Sequence, residues 1–203
     1  MHPIQPRIQG VTPALRELYQ DINASTIGHL TDEGFVRGLQ PLSRPIRILG
    51  NALTVRIPDR DGSVIRQALL MSQPHDVLVI EMAGDDQRAC WGELRTLAAL
   101  VKKLSGVVIS GGVTDVRAVT ALGFPVFSKS ISALTTRTLN VGGELNIPVT
   151  VGSVCVQPGD LVVGDDDGLF ILNPQQAVEL GRLANDKQQQ EQQQRDKLSA
   201  MSN

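Results

Sequence analysis

The chain has 203 residues, with 19 Lys and Arg against 21 Asp and Glu, so its formal net charge is −2 at pH 7. This length suits a single domain that buries most of its apolar surface, and the mixed charges give no electrostatic footprint for nucleic acid. Aromatic residues make up only 3% of the chain, which predicts an aliphatic core and no aromatic platform for single-stranded RNA.

Signals for secretion, membrane insertion and disulfide formation do not stand out in the sequence. The N-terminal sequence MHPIQPRIQG has no apolar segment of the kind found in secretory signals. No run approaches the roughly 18 apolar residues of a membrane-spanning helix, so we expect a cytoplasmic protein without a membrane partner. The spacing of Cys90 and Cys155 indicates neither a disulfide framework nor a metal knuckle, and we interpret both as buried, small apolar residues.

The first part of the chain alternates helix and strand signals. Thr12 followed by Pro13 is typical of a helix start. Residues 52–57 alternate as a half-buried strand does, with Thr54 and Arg56 on the face away from the core. The other elements predicted here are a short helix capped by Asn23 or Ser25, a strand at 47–49, a helix over 64–71 and an apolar strand over 76–82.

The stretch from residue 91 to residue 115 has the most unusual pattern. It predicts a helix opened by Gly92 and Glu93, a buried strand at 107–109, a turn at 110–112 and a second helix start at Asp115. Free N–H groups at a helix start attract carboxylate or phosphate, and an Asp beside a glycine turn can hold a divalent cation. An ordinary strand–helix–strand crossover with tightly packed glycines explains the same pattern. The apolar positions predicted to form the inner face of the first helix are Leu94, Leu97, Ala98 and Val101.

The second half of the chain becomes a series of short strands after a helix over 116–122 that ends at Gly123. The acidic triplet at 165–167 lacks the ligand spacing of an EF-hand, and we expect it to be a solvated turn. The predicted strands lie at 125–127, 147–151, 154–156, 161–163 and 169–172.

The C-terminal segment begins at Pro174 with a narrow apolar stripe that stops near Ala184 and is followed by a Gln-rich, polar sequence. We therefore expect residues 1–174 to form a single α/β domain. Residues 175–203 are predicted to form a C-terminal helix and a Gln-rich polar tail, either an exposed, frayed helix or a disordered segment.

Several of these segments, taken in order, resemble the RraA-like family, which includes the ribonuclease regulator RraA and class II pyruvate aldolases. Those aldolases act on 4-hydroxy-4-methyl-2-oxoglutarate and 4-carboxy-4-hydroxy-2-oxoadipate. The likeness extends over about residues 22–174. The segments that carry it are WGEL at 91–94, GVVISGGVTD at 106–115, GFPVF at 123–127, LNIPV at 145–149 and PGDLVVGDDDG at 158–168.

The resemblance implies a three-layer α/β domain of the swivelling β/β/α type, assembled as a homotrimer or homohexamer with active sites at subunit boundaries. It also implies a Mg²⁺ or Mn²⁺ cofactor that binds a small 2-oxo acid and stabilises the pyruvate enolate as a carbon–carbon bond breaks. Both pyruvate aldolase and oxaloacetate decarboxylase activity pass through that enolate.

The resemblance assigns site residues and also shows where this chain departs from the family. The backbone amides of the GEL segment, at Gly92, Glu93, Leu94 and Arg95, match those that bind the substrate carboxylate, and Asp115 matches the metal ligand. Where the family has DGxVRD, this chain has SGGVTD, so Thr114 stands at the position of the catalytic, substrate-binding arginine. Ser110 and Ala118 replace two acidic residues.

These departures leave Asp115 as the single matched acidic residue, which predicts a weak metal site. For the substrate carboxylate, Thr114 can donate a neutral hydrogen bond but cannot supply positive charge. Arg117, three residues after Thr114 and on the same helical face, is a candidate catalytic residue that could restore the charge. The alternative interpretation of Arg117 is a solvated surface residue.

Three functions fit this pattern. The first is a metal-dependent lyase that is weak or altered in substrate. The second is a non-catalytic regulatory or binding protein with a protein partner, and the third is an enzyme with the same fold and a different reaction.

Overall fold

The computed structural model describes residues 4–201, and residues 1–3 and 202–203, including the first three residues of the N-terminal segment discussed above, lie outside the described part. The helices are α1 (Pro13–Leu18), α2 (Ala24–Gly28), α3 (Val64–Met71), α4 (Glu93–Val101), α5 (Val116–Ala121) and α6 (Pro174–Met201). The strands are β1 (Gln40–Pro41), β2 (Arg47–Ile57), β3 (Asp76–Met82), β4 (Ala89–Trp91), β5 (Gly106–Val113), β6 (Val126–Ile131), β7 (Glu144–Leu145), β8 (Val149–Val151), β9 (Val154–Val156), β10 (Leu161–Asp165) and β11 (Gly168–Leu172). None of the helices within residues 4–201 combines the length and the hydrophobicity that a membrane span requires.

The strands form a mixed sheet in the order β1-β6-β5-β3-β2-β10-β11, with β4 beside β5 and β7 beside β2. Strands β2, β3, β5 and β6 are parallel neighbours, whereas β10 and β11 extend the sheet in antiparallel fashion. The β8–β9 hairpin covers one face, and α3, α4 and α5 lie towards the other. This is the three-layer α/β arrangement that the resemblance implied, and it carries the predicted C-terminal helix.

Strand β2 corrects the prediction of a half-buried strand. Leu53 and Val55 pack into the core on the helical side, as expected, but Thr54 is also fully buried. The Thr54 hydroxyl donates a hydrogen bond to the Ile147 carbonyl at 2.6 Å. The second face of β2 is therefore covered by the segment that leads into the β8–β9 hairpin, and only Arg56 remains half-buried there.

Helix α4 packs with a different face from the predicted one. Leu94 and Val101 are 81% and 83% exposed, whereas Thr96 and Ala99 are buried. The Thr96 hydroxyl accepts a hydrogen bond from the Trp91 indole N–H at 2.9 Å and donates one to the Gly92 carbonyl at 3.0 Å. These bonds orient the small residues towards the sheet, so the larger apolar side chains face outward.

The predicted turn at 110–112 is wrong, because these residues continue strand β5 through a register shift between Ile109 and Gly112. A Cβ atom on Gly111 would lie 2.6 Å from the Met82 side chain. The Ser110 hydroxyl accepts a hydrogen bond from the Met82 amide at 2.8 Å. The glycine therefore serves close packing of β5 against the end of β3, which the crossover interpretation anticipated.

The C-terminal helix α6 continues to Met201. Of the two predicted alternatives for the Gln-rich segment, an exposed helix and a disordered segment, the described residues therefore form the helix. Its first half packs on α1: the Tyr19 hydroxyl donates to the Ala177 carbonyl at 2.9 Å, and Gly181 allows close approach of Tyr19. Gln188 then accepts a hydrogen bond from the Asn23 amide at 2.7 Å. The proposed boundary at residue 174 coincides with the start of this helix and remains a prediction.

Two smaller expectations need correction. Cys90 is buried as expected, but Cys155 is exposed. In the acidic triplet, Asp165 accepts a hydrogen bond from the Ala24 amide and Asp166 accepts one from the Ile46 amide, each at 2.7 Å. Two of the three carboxylates therefore anchor neighbouring segments instead of only facing solvent.

Candidate functional site

A cavity of about 190 Å³ lies where strand β4, the start of α4, the end of β5 and the loop at 132–143 meet. The topology explains this position, because β4 and β5 run parallel and deliver the residues after their carboxyl ends to one edge of the sheet. The lining residues are Ala89, Cys90, Trp91, Gly92, Leu94, Arg95, Thr114, Asp115, Thr135 and Thr136.

Gly92 allows the two halves of this cavity to approach each other. A Cβ atom at Gly92 would lie 2.4 Å from Asp115 Oδ2 and 2.9 Å from Thr114 Cγ2. The next amide, that of Glu93, donates a hydrogen bond to Asp115 Oδ2 at 3.0 Å. The structure therefore brings together Gly92, Glu93, Thr114 and Asp115, four of the residues that the resemblance assigned to the site.

Asp115 has a left-handed backbone conformation, with φ 53° and ψ 36°, which a residue other than glycine adopts only occasionally. It precedes α5 but makes no side-chain cap on that helix. The conformation directs its carboxylate to α4 instead. Its second oxygen, Oδ1, lies 3.5 Å from the Thr114 hydroxyl, so it is only weakly engaged and faces the cavity as a potential cation ligand.

The first turn of α4 supplies further polar groups. Leu94 and Arg95 follow Glu93 in this turn, where backbone N–H groups have no carbonyl of their own helix to bond. The nine-residue helix presents this end to the cavity, so a carboxylate there would meet both free amides and the positive end of the helix dipole.

The Arg95 side chain is the cationic group of the cavity. Its guanidinium donates to the Cys90 carbonyl and, at 3.1 Å, to the Gly62 carbonyl. Among residues 4–201, Arg95 forms no ion pair with an acidic side chain. Burial lowers the pKa of Arg95, and burial raises the pKa of the neighbouring Cys90 thiol to about 12, so the thiol stays neutral and offers no counter-charge.

The Arg95 side chain was not identified from the sequence, which assigned only its backbone amide to substrate binding. The signal that could have found it was the arginine directly after the GEL segment in a chain whose motif arginine is Thr114. Arg117, the candidate proposed for that role, is exposed on α5 and does not line the cavity. Ala118 is half-buried on the same helix.

The loop at 132–143 forms the remaining wall, and the buried Asp61 carboxylate holds it. Asp61 accepts hydrogen bonds from the amides of Leu139 at 3.0 Å, Val141 at 2.6 Å and Gly142 at 3.1 Å. Burial would raise the pKa of Asp61, but its hydrogen bonds, including that from the Ser63 hydroxyl, outweigh burial and hold the pKa below its ordinary value. Asp61 therefore positions the loop as an ionised carboxylate.

With this geometry in place, the family can be assigned. A family model described as RraA-like, Aldolase/RraA, matches residues 23–171. The chain belongs to the RraA-like family. Among RraA-like relatives, a protein of Halalkalibacterium halodurans that carries the provisional name 4-hydroxy-4-methyl-2-oxoglutarate aldolase is 32% identical over 150 residues, covering 74% of this chain and 71% of that protein. An uncharacterized protein of Methanocaldococcus jannaschii is 32% identical over 178 residues, covering 85% of each chain.

Solved structures support the RraA-like fold. Streptomyces coelicolor RraAS2, described as an unusual member of the RNase ES inhibitor RraA protein family, superposes with a TM-score of 0.81. The two sequences are 25% identical, and the match covers 94% of this chain and 99% of RraAS2. An uncharacterized Pseudomonas syringae protein has a TM-score of 0.80 at 22% identity, covering 97% of this chain and 91% of that one, and supports the fold alone.

Proposed function

We propose that this RraA-like protein is a divalent-metal-dependent carbon–carbon lyase of the pyruvate aldolase or oxaloacetate decarboxylase type, acting on a small 2-oxo acid. The observation that carries the proposal is the cavity that combines the Asp115 carboxylate, the first turn of α4 and the Arg95 guanidinium. Relatives provisionally named 4-hydroxy-4-methyl-2-oxoglutarate aldolase support the reaction class. Thr114 in place of the motif arginine makes the activity weak or altered in substrate.

The donor groups of the cavity fit a hard divalent cation that is held mainly through water. Asp115 is the one carboxylate among the lining residues, and the hydroxyls of Thr114, Thr135 and Thr136 are the neutral oxygen donors. Within residues 4–201, no three or more His, Cys, Asp or Glu side chains form a metal-binding group. Mg²⁺ commonly keeps several waters and uses one or two carboxylates, so this set predicts a weak site for Mg²⁺ or Mn²⁺.

The bound cation would supply Lewis acidity that stabilises the developing enolate charge. The chain itself would bind and orient the substrate. The amides of the first α4 turn would bond the substrate carboxylate, and the Thr114 hydroxyl would donate a single neutral hydrogen bond. The loop held by Asp61 would limit access of water to the reacting bond.

The direct test is to measure pyruvate release from oxaloacetate and from 4-hydroxy-4-methyl-2-oxoglutarate, each with Mg²⁺, with Mn²⁺ and with chelator. We expect metal-stimulated release that is lost in Asp115→Asn. An exposed acidic residue on α6 gives a matched control, and Asp186→Asn should leave release unchanged. Equal release with metal and with chelator would contradict the proposal.

A second candidate function, a non-catalytic regulatory protein, is favoured by two observations. Among the described lining residues of the cavity there is a single carboxylate, that of Asp115. The chain is also similar to RraAS2, which is described as an unusual member of the RNase ES inhibitor RraA protein family. Under this candidate, the protein would bind a protein partner, and neither Mn²⁺ nor a small carboxylate would bind at Asp115. Mn²⁺ binding that Asp115→Asn abolishes would therefore favour the lyase.

We also propose that the protein assembles as a homotrimer or homohexamer. Its support is the apolar outer face of α4, where Leu94 and Val101 are almost fully exposed and Leu97 is 41% exposed. Their spacing of three and four residues puts them on one side of the helix, and an exposed apolar helix face is characteristic of a protein interface. Leu94 also lines the cavity, so the proposed interface would lie at the rim of the site.

A further inference from the structure

Arg95 lines the cavity, and within the described residues 4–201 its guanidinium has no anionic partner. Retaining a largely buried charge without a counter-ion is unfavourable, because the charge loses hydration that no carboxylate replaces. The neutral Cys90 thiol and the surrounding threonine hydroxyls do not balance it. This electrostatic imbalance is what an anionic ligand would remove.

The guanidinium is also fixed in position. One N–H group bonds the Cys90 carbonyl and another bonds the Gly62 carbonyl, so the side chain is anchored to β4 and to the residue after Asp61. A guanidinium has five N–H donors in a planar fork, and these two bonds leave further donors for a ligand. Little side-chain entropy would be lost when a carboxylate binds to such a pre-oriented group.

We propose that Arg95 binds the carboxylate of a compact anionic ligand in this cavity and so supplies the positive charge that Thr114 does not provide. This inference deepens the proposed function, because it identifies the ligand of the same cavity as a small carboxylate whose charge is shared between Arg95 and a cation on Asp115. The cavity volume of about 190 Å³ favours a short oxo acid or dicarboxylate over a bulky one.

Arg95 could also have a purely structural role, because its bonds to the Cys90 and Gly62 carbonyls hold β4 against residue 62. The experiment must therefore separate ligand binding from this structural role. Oxalate is a suitable probe, because it is a compact dicarboxylate that needs no turnover. We would titrate it calorimetrically into the wild-type protein and Arg95→Met, with and without Mn²⁺. A charge-assisted hydrogen bond predicts oxalate affinity roughly 10- to 100-fold lower in Arg95→Met, with Mn²⁺ affinity unchanged.

Two further variants sharpen the comparison. Arg66 is exposed on α3, so Arg66→Met removes an arginine of the same size from outside the cavity and should leave oxalate affinity unchanged. Arg95→Lys keeps the charge but loses the planar fork, and we expect an intermediate affinity. Wild-type affinity in Arg95→Met would show that the side chain serves only as a brace.

A measurement on the wild-type protein remains decisive even where Arg95→Met does not fold. In protein labelled with ¹⁵N-arginine, oxalate should shift one Nε–H resonance, and this resonance should be missing from Arg95→Lys. If no arginine resonance shifts, the inference is wrong.

The outcomes also separate this inference from the lyase proposal. Weak oxalate binding in Arg95→Met, together with no metal-stimulated pyruvate release by the wild type, would support the anion site and reject the lyase. Normal oxalate binding in Arg95→Met of a protein that does release pyruvate would support the lyase and reject the role of Arg95.

Discussion

The Asp115 carboxylate accepts a hydrogen bond from the Glu93 amide at 3.0 Å across 22 positions of sequence. This contact ties the junction of β5 and α5 to the first turn of α4. A cation bound by Asp115 would therefore lie beside amides that can bind a carboxylate. Asp115 and these amides need no large rearrangement to act on one small ligand. A substitution at Asp115 or at the start of α4 should therefore affect both cation binding and carboxylate binding.

Replacing Asp115 by Asn separates the charge of this residue from its structural contact. The amide oxygen of Asn can still accept the Glu93 hydrogen bond, so we expect the melting temperature to change little. The carboxylate charge is lost, so Mn²⁺ affinity should fall at least tenfold, roughly the contribution of one charged ligand. The paramagnetic resonance of the free ion measures this affinity. Unchanged Mn²⁺ affinity would place the cation elsewhere.

Gly92→Ala should damage the cavity because its Cβ atom would lie 2.4 Å from Asp115 Oδ2. Relieving this overlap must displace the carboxylate or the helix start, which costs about 1–3 kcal/mol of unfolding free energy. We also expect oxalate affinity to fall. Gly28→Ala is a matched control, since its Cβ atom would be 3.7 Å from Phe170. Denaturant unfolding in which both variants match the wild type would contradict this account of Gly92.

Asp61→Asn should destabilise the loop wall in a pH-dependent manner. The folded-state pKa of Asp61 lies below its ordinary value, so the carboxylate stabilises the fold fully above the unfolded pKa of about 3.9. That stabilisation is lost as pH falls through this value towards the folded pKa. The difference in melting temperature between wild type and Asp61→Asn should therefore shrink below about pH 4.

The control for Asp61→Asn is the exposed neighbour Asp59, whose replacement by Asn should give a small difference at every pH. Hydrogen exchange offers a local check: the amides of Leu139 and Val141 bond Asp61 directly and should lose protection in Asp61→Asn. A melting-temperature difference that stays constant into the acid range would show that the Asp61 charge is not the stabilising group.

The sequence predicted the order of the elements, because periodicity and capping residues are local signals, and the resemblance to the RraA-like family assigned Gly92 and Asp115 to one site. It failed where burial depends on segments distant in the chain. Thr54 is buried because residues near Ile147 cover it, and Leu94 is exposed because Thr96 orients the helix through Trp91. Arg95 was missed for the same reason, since only the folded structure shows that no acidic side chain within residues 4–201 pairs with it.

The exposed face of α4 predicts that the protein assembles into an oligomer, which can be tested by its mass in solution. Val101 is 83% exposed and Leu97 is 41% exposed, and introducing Glu at both positions would place charge in an apolar interface. We expect light scattering to give the mass of a trimer or hexamer for wild type and a smaller mass for the double variant. Leu183→Glu, on the exposed side of α6, should retain the wild-type mass. Identical masses for all three would place the interface elsewhere.

Thr114→Arg tests whether the motif position and Arg95 share one role. If Arg95 already neutralises the ligand carboxylate, a second guanidinium at residue 114 should add little to oxalate affinity in the wild-type background. In the Arg95→Met background, the same change should restore much of the lost affinity, on the order of 10-fold or more. The four proteins form a double-mutant cycle, so calorimetry gives the coupling between the two positions directly.

Pyruvate release by the same four proteins shows whether the positive charge supplied from position 95 or position 114 acts in the reaction as well as in binding. A guanidinium that stabilises developing enolate charge contributes roughly 10²- to 10³-fold in rate, so Thr114→Arg should raise turnover more than it raises binding. Because Arg95 is anchored to the Cys90 and Gly62 carbonyls, a new arginine at 114 cannot reproduce its position, and the rescue should be partial. Equal gains in both backgrounds would mean that the two positions act independently and that Thr114 is not compensated by Arg95.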